Sequence, residues 1–119
     1  MNRKQNGRLA EVKVAAWMIE NGYEVYLPLS DGSVYDMLVV RDDQTQRVSV
    51  KYTSERKPSG KWRVCLVQTS RRNNSEMHTV KFDNSRYDVL AVYIGPEDRI
   101  VLIPCNEISA MTEVSVSGR

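Results

Sequence analysis

Apolar residues change their period near residue 22. From Gln5 to Asn21, Leu9, Val12, Ala16 and Ile19 recur at spacings of three and four, which predicts an amphipathic helix. Asn21-Gly22 supplies its C-terminal stop. Beyond it the apolar residues come in short runs bounded by turn residues, the signature of strands. Tyr23 to Leu27 is one, ended by Pro28. Val34 to Arg41, Gln46 to Thr53, Trp62 to Thr69, Tyr87 to Ile94 and Arg99 to Ile103 are the others. Ser30-Asp31-Gly32-Ser33, Asp42-Asp43-Gln44-Thr45 and Gly95-Pro96-Glu97-Asp98 read as turns. Pro104 suits the first turn of a short helix running to Ala110. Residues 70 to 86 are polar and carry no clear period. An initial helix followed by three strands and then more strands predicts an α/β (α+β) fold. Its N-terminal helix packs on a mixed or largely antiparallel sheet.

Two polar residues stand out because they interrupt these strands. Asp36 sits ahead of Met37-Leu38-Val39-Val40, and Lys51 follows Val48-Ser49-Val50. A carboxylate and an ammonium in apolar strands cost desolvation unless each has a partner or a task. A site that attacks a phosphate needs both kinds of group. An acid holds a hard divalent cation, and a cation orients the nucleophile or steadies developing charge. Glu11 on the helix borders the apolar stripe and is placed to join them. Each residue also has an ordinary reading: a half-exposed helix glutamate, an acid at a strand edge, a lysine snorkelling from an edge strand. The order acid, acid, lysine within one helix-hairpin unit is worth more than its members.

Length and charge narrow the picture. A chain of 119 residues forms one domain, 1–119, with one core. No apolar run reaches the length of a membrane span, and Met1-Asn2-Arg3-Lys4-Gln5 has no apolar segment behind it, so an intracellular protein is expected. Cys65 and Cys105 make no disulfide framework, and their apolar contexts predict reduced core residues. They lack zinc-site spacing, His78 is the only histidine, and there is no glycine-rich phosphate loop. The net charge of +2 is small, but its distribution is uneven. Lys51, Arg56, Lys57, Lys61, Arg63, Arg71 and Arg72 face the single acid Glu55 between residues 51 and 72, and Arg3, Lys4, Arg8 and Lys13 crowd the amino terminus. This is either a side facing a polyanion or a solvated charged loop.

Several segments together resemble the PD-(D/E)XK nuclease superfamily. They are Gly7-Arg8-Leu9-Ala10-Glu11 opening the helix, Asn21-Gly22-Tyr23-Glu24-Val25-Tyr26-Leu27-Pro28, Tyr35-Asp36, and Val48-Ser49-Val50-Lys51. Tyr87 to Tyr93 and Ile100 to Pro104 look like the last two strands of such domains. The likeness is nearest to the small group I intron-encoded homing endonucleases, and Holliday-junction resolvase-like proteins share the core plan.

The resemblance implies roles. Asp36 matches the metal-binding aspartate, Glu11 the helix-borne acid, and Lys51 the lysine near the attacking water. Ser49 falls where the family carries Glu or Asp, and some intron endonucleases Gln. It keeps the face shared with Lys51 but lacks the charge. The implied cofactor is Mg2+ or Mn2+, and the implied partner is double-stranded DNA contacted by Arg8, Arg56, Lys57, Lys61, Arg63, Arg71 and Arg72. Cutting both strands implies a homodimer or homotetramer, and the likeness implies a cytoplasmic protein of prokaryotic or phage origin. Three classes remain open at this point: a homing-type endonuclease, a nuclease of branched DNA, and a non-catalytic DNA-binding module.

Overall fold

The computed structural model describes residues 1–71 and 77–118, with the backbone alone for 68–71 and 77–80. Helix α1 spans Arg3–Glu20. Asn2 caps it in a box: its side chain accepts from the Gln5 N–H at 2.9 Å, while Gln5 Oε1 accepts from the Asn2 N–H at 3.0 Å. The strands follow as β1 (Glu24–Tyr26), β2 (Met37–Arg41), β3 (Gln44–Thr53), β4 (Glu55–Arg56), β5 (Trp62–Cys65), β6 (Gln68–Arg71), β7 (Met77–Val80), β8 (Val89–Ile94), β9 (Arg99–Pro104) and β10 (Glu113–Val116).

Five strands form the central sheet in the order β1-β2-β3-β8-β9. Its pairs are antiparallel except for β3 and β8, which run parallel, so the expected mixed sheet is present. β8 is buried on both faces, which accounts for its unbroken apolar run. On one face Ala10, Val14 and Met18 of α1 meet Met37, Val39, Val48 and Val50. On the other, Leu90, Val92 and Ile94 meet Trp62, Val64 and Val116 from a small second sheet, β10-β5-β4. β6 and β7 pair as a separate ribbon.

Several elements depart from the sequence expectations. The buried stripe of α1 is Ala10, Val14 and Met18, whereas Val12 and Ile19 are exposed. Apolar residues lie on nearly every side of this helix, so more than one stripe fits its period. The expected strand Trp62 to Thr69 breaks after Cys65, and its second half joins the ribbon. Pro104 ends β9, and only a single 3-10 turn, Cys105–Glu107, follows it in place of a helix to Ala110. Cys65 is exposed rather than core, because Trp62 and Val64 take the inward positions of β5 and Cys65 falls on the outward face; Cys105 is buried as expected.

The β2–β3 turn is tighter than four residues. Arg41 pairs with Gln44, leaving Asp42 and Asp43 at φ +53° and +61°. Two left-handed residues make the turn that suits a twisted hairpin, but aspartate is strained there where glycine is not. Asp43→Gly is therefore expected to stabilise the protein by about 0.5–1 kcal/mol, after allowing for the added freedom of the unfolded chain. Thermal unfolding checks this. A lower melting temperature would mean that the Asp43 side chain stabilises the turn.

Candidate active site

Asp36 stands one residue before β2, where the β2–β3 ladder opens. Its N–H donates to the Val48 carbonyl at 3.1 Å, and its Oδ2 accepts the Val50 N–H at 2.7 Å. The carboxylate is thus fixed by the strand that carries Lys51. Met37 pairs with Val48, so one further step along the ladder sets Asp36 opposite Ser49. Ser49 pairs with Leu90 and Lys51 with Val92, both of the core facing the second sheet. Ser49 and Lys51 therefore share a face, as their alternation implied, and that face points away from α1. Glu11 approaches from the opposite side, on the helix.

Glu11 and Asp36 line one cavity of about 230 Å³ together with Arg8, Asp31 and Tyr35. Arg8 lies 3.5 Å from the Glu11 carboxylate. Burial pushes the Glu11 pKa up, and the charge of Asp36 adds to the rise against the opposing Arg8. Burial also raises Asp36, opposed by the Val50 N–H bond and by Lys51. Burial lowers Lys51, opposed by Asp36 and then Cys65. Asp36 is the member whose charge couples to both others. Two carboxylates raised by burial, one of them also by the charge of the other, form a site that favours a cation.

The donor set fits a hard divalent ion. Both side chains offer carboxylate oxygen, and Asp36 retains acceptor capacity beyond its bond to Val50. Among the described residues no three His, Cys, Asp or Glu side chains stand close enough to hold an ion together. A guest cation would therefore keep much of its water, as magnesium does.

The basic segment is not gathered at this cavity. Arg63 pairs with Glu55 at 3.0 Å and Glu113 at 3.1 Å. Lys57 lies 3.6 Å from Glu113 and donates to Ser115 at 2.9 Å. The Arg56 guanidinium sits over the Trp62 ring at 5.5 Å. Lys61 is exposed. These side chains brace β4, β5 and β10. Arg71 has only its backbone described, and Arg72 lies outside the described residues. Among the described DNA-contact candidates, Arg8 alone borders the carboxylates.

A family model for PD-(D/E)XK endonucleases matches residues 1–117. The chain belongs to this endonuclease family. The fold also matches the solved structure of a bacterial homing endonuclease, I-Ssp6803I, with a TM-score of 0.83 and 18% identity, over 100% of this chain and 80% of that one. At that identity the likeness is one of fold. No curated protein matches the chain.

Ser49 is 1% exposed, so its position has little room for a longer side chain. Ser49→Ala is expected to be mild. Ser49→Glu is expected to lose about 1–3 kcal/mol from overpacking in chelator, and to recover part of it when magnesium neutralises the new carboxylate. Melting curves with and without magnesium check this. An unchanged melting temperature in chelator would reveal open space beside Ser49. Faster cleavage by Ser49→Glu would identify serine as a lost ligand.

Asp31 and Tyr35 escaped the sequence reading as site neighbours. Asp31 lay within a turn signal, and Tyr35 carried no chemical signal beyond its place beside Asp36.

Proposed function

We propose that this endonuclease hydrolyses phosphodiester bonds in double-stranded DNA with a divalent metal ion, magnesium or manganese, as a homing-type enzyme. One observation carries the reading: Asp36, tied to the β3 backbone, shares a desolvated cavity with Glu11 and is electrostatically coupled to Lys51. Asp36 and Glu11 would hold the ion. When bound, such an ion polarises a phosphoryl oxygen and acidifies bound water. Asp36 keeps its carboxylate in place through the Val50 N–H, so the ligand needs no reorganisation during the reaction. Lys51 offers an ammonium on the neighbouring strand to offset charge developing on the phosphate. Arg8 brings positive charge to the cavity mouth, where a strand must enter.

Two strands require two active centres, which favours a symmetric dimer or tetramer. Ser49 favours a second reading, a non-catalytic DNA-binding module. Cleavage of long duplex DNA and of a four-way junction, with magnesium and with chelator, tests both. Magnesium-dependent cutting of duplex supports the proposal. Preference for the junction would make it a nuclease of branched DNA, and binding without cutting would favour the module.

The charges of this site make a salt test possible. Arg8→Ala is expected to flatten the dependence of log K on log salt by about one unit. Arg63→Ala should change it less, because Glu55 and Glu113 already neutralise that guanidinium. An unchanged slope in Arg8→Ala would put the DNA on another face.

A further inference from the structure

A second cavity of about 390 Å³ adjoins the carboxylate cavity, and the two share Gly32 and Ser33 as a dividing wall. Its size falls within the roughly 300–1,000 Å³ of small-molecule sites. Tyr87 supplies an aromatic wall, backed by Phe82, which is 7% exposed and part of the core, and Lys81 and Arg86 supply positive charge. The wall is braced. Phe82 stacks on Tyr87 with centroids 5.4 Å apart at 19°, and Tyr35 meets the Tyr87 ring edge-on at 6.3 Å and 84°. Tyr35 in turn borders the carboxylate cavity. The guanidinium of Arg47, held by both oxygens of Asp88 at 3.0 and 3.1 Å, lies within electrostatic reach of Tyr35. Lys81 and Arg86 are exposed, and Arg86 lies 3.6 Å from Asp83, an exposed pair of little strength.

A phosphodiester strand whose phosphate lies over Glu11 and Asp36 runs on past Gly32 and Ser33 into this second cavity. A braced aromatic ring beside exposed cations is the chemistry that takes single nucleotides: bases stack on the ring and phosphates meet the charge. We propose that the second cavity takes the nucleotide next to the scissile phosphate in unstacked form, its base against the Tyr87 ring and its phosphate on Lys81 and Arg86. This rests on the nuclease reading and adds a substrate class to it. Unstacking is easiest at a mismatched or single-stranded base. The endonuclease therefore prefers DNA with an unpaired nucleotide beside the bond it cuts.

The test uses the full chain and short single-stranded oligodeoxynucleotides carrying 5-iododeoxyuridine, in calcium buffer, with photocrosslinks mapped by mass spectrometry. Crosslinks are expected on Tyr87. Tyr87→Leu is expected to weaken binding roughly five- to 150-fold, the range for loss of one base–aromatic stack. Tyr87→Phe keeps the ring and should keep the affinity. Should Tyr87→Leu fail to fold, the exposed double substitution Lys81→Ala with Arg86→Ala serves instead, and it too should weaken binding. Crosslinks confined to other residues, or native affinity in either the Tyr87→Leu or the double variant, would overturn the proposal. So would a Tyr87→Phe variant as weak as Tyr87→Leu, since the phenol and not the stack would then be responsible. Crosslinking needs no cleavage, so the two readings fail separately. A protein that crosslinks through Tyr87 yet never cuts removes the nuclease reading alone. One that cuts DNA but crosslinks elsewhere removes the cavity assignment alone.

Discussion

Asp36→Asn is expected to lower cleavage by at least about a hundredfold, the scale for losing one well-placed electrostatic contact, while making the fold more stable in chelator. The two effects share a cause. Burial raises the Asp36 pKa above its ordinary value, despite the Val50 N–H and the Lys51 charge. A carboxylate raised in the folded state favours its neutral form there. At neutral pH the ionised group subtracts stability, and the deficit disappears as pH falls through the raised value towards the ordinary one. Asparagine imitates the neutral form, and its Oδ1 can still accept the Val50 N–H. The variant should thus melt higher than the native protein in chelator at pH 7, with the gap closing on acidification. Magnesium should raise the native melting temperature and leave that of the variant nearly unchanged. Melting curves at several pH values, beside cleavage assays, check all three expectations. Full activity in Asp36→Asn would remove Asp36 from the site. A lower melting temperature in chelator would show that the ionised carboxylate stabilises the fold.

That conflict between stability and chemistry is also why part of the site could be read from sequence. Asp36 and Lys51 are polar residues set against apolar strands, and such contradictions show without a structure. Glu11 carries a weaker signal, since a glutamate on a helix is ordinary; its place beside the apolar stripe and its resemblance to a family motif marked it. The central sheet was legible because β2, β8 and β9 are apolar runs between turns and the second half of β3 alternates apolar with polar residues. β10 was missed because Glu113–Val116 is only four residues long, too short for its alternation of polar and apolar residues to stand out. The α1 stripe was misread because Val12 and Ile19 fit the helical period as well as Val14 and Met18 do, and only packing against Met37 and Val48 decides between them. The second cavity was illegible for another reason. It joins residues 32–34, Leu66 and residues 81–87, whose proximity follows from the fold and not from any local pattern. The basic segment shows the reverse failure. Its cations were visible, but their partners Glu55 and Glu113 come from neighbouring strands that only the fold brings together.

Lys51→Ala is expected to lower the cleavage rate by roughly a hundredfold, about 3 kcal/mol of transition-state stabilisation, with little change in DNA affinity. The contact proposed for Lys51 strengthens only as charge develops on the phosphate, so it contributes to the rate and not to ground-state binding. Burial lowers the Lys51 pKa, and Asp36 is the principal group holding it up. The charged ammonium is thus kept in a desolvated place by the same carboxylate that anchors the site. Removing it acts on Asp36 as well, whose pKa Lys51 helps to hold down. Without that charge the Asp36 pKa should rise further, protons should compete better with the cation, and the acid limb of the rate profile should move to higher pH. A residue that only braced the strand would lower the rate at every pH without moving that limb. Lys51→Arg should not restore the rate, since a planar guanidinium cannot replace a compact ammonium in so confined a position. Single-turnover rates across pH, beside equilibrium binding in calcium, separate the cases. An unchanged single-turnover rate with weakened binding would make Lys51 a plain phosphate contact and leave Asp36 and Glu11 without a cationic partner in the reaction.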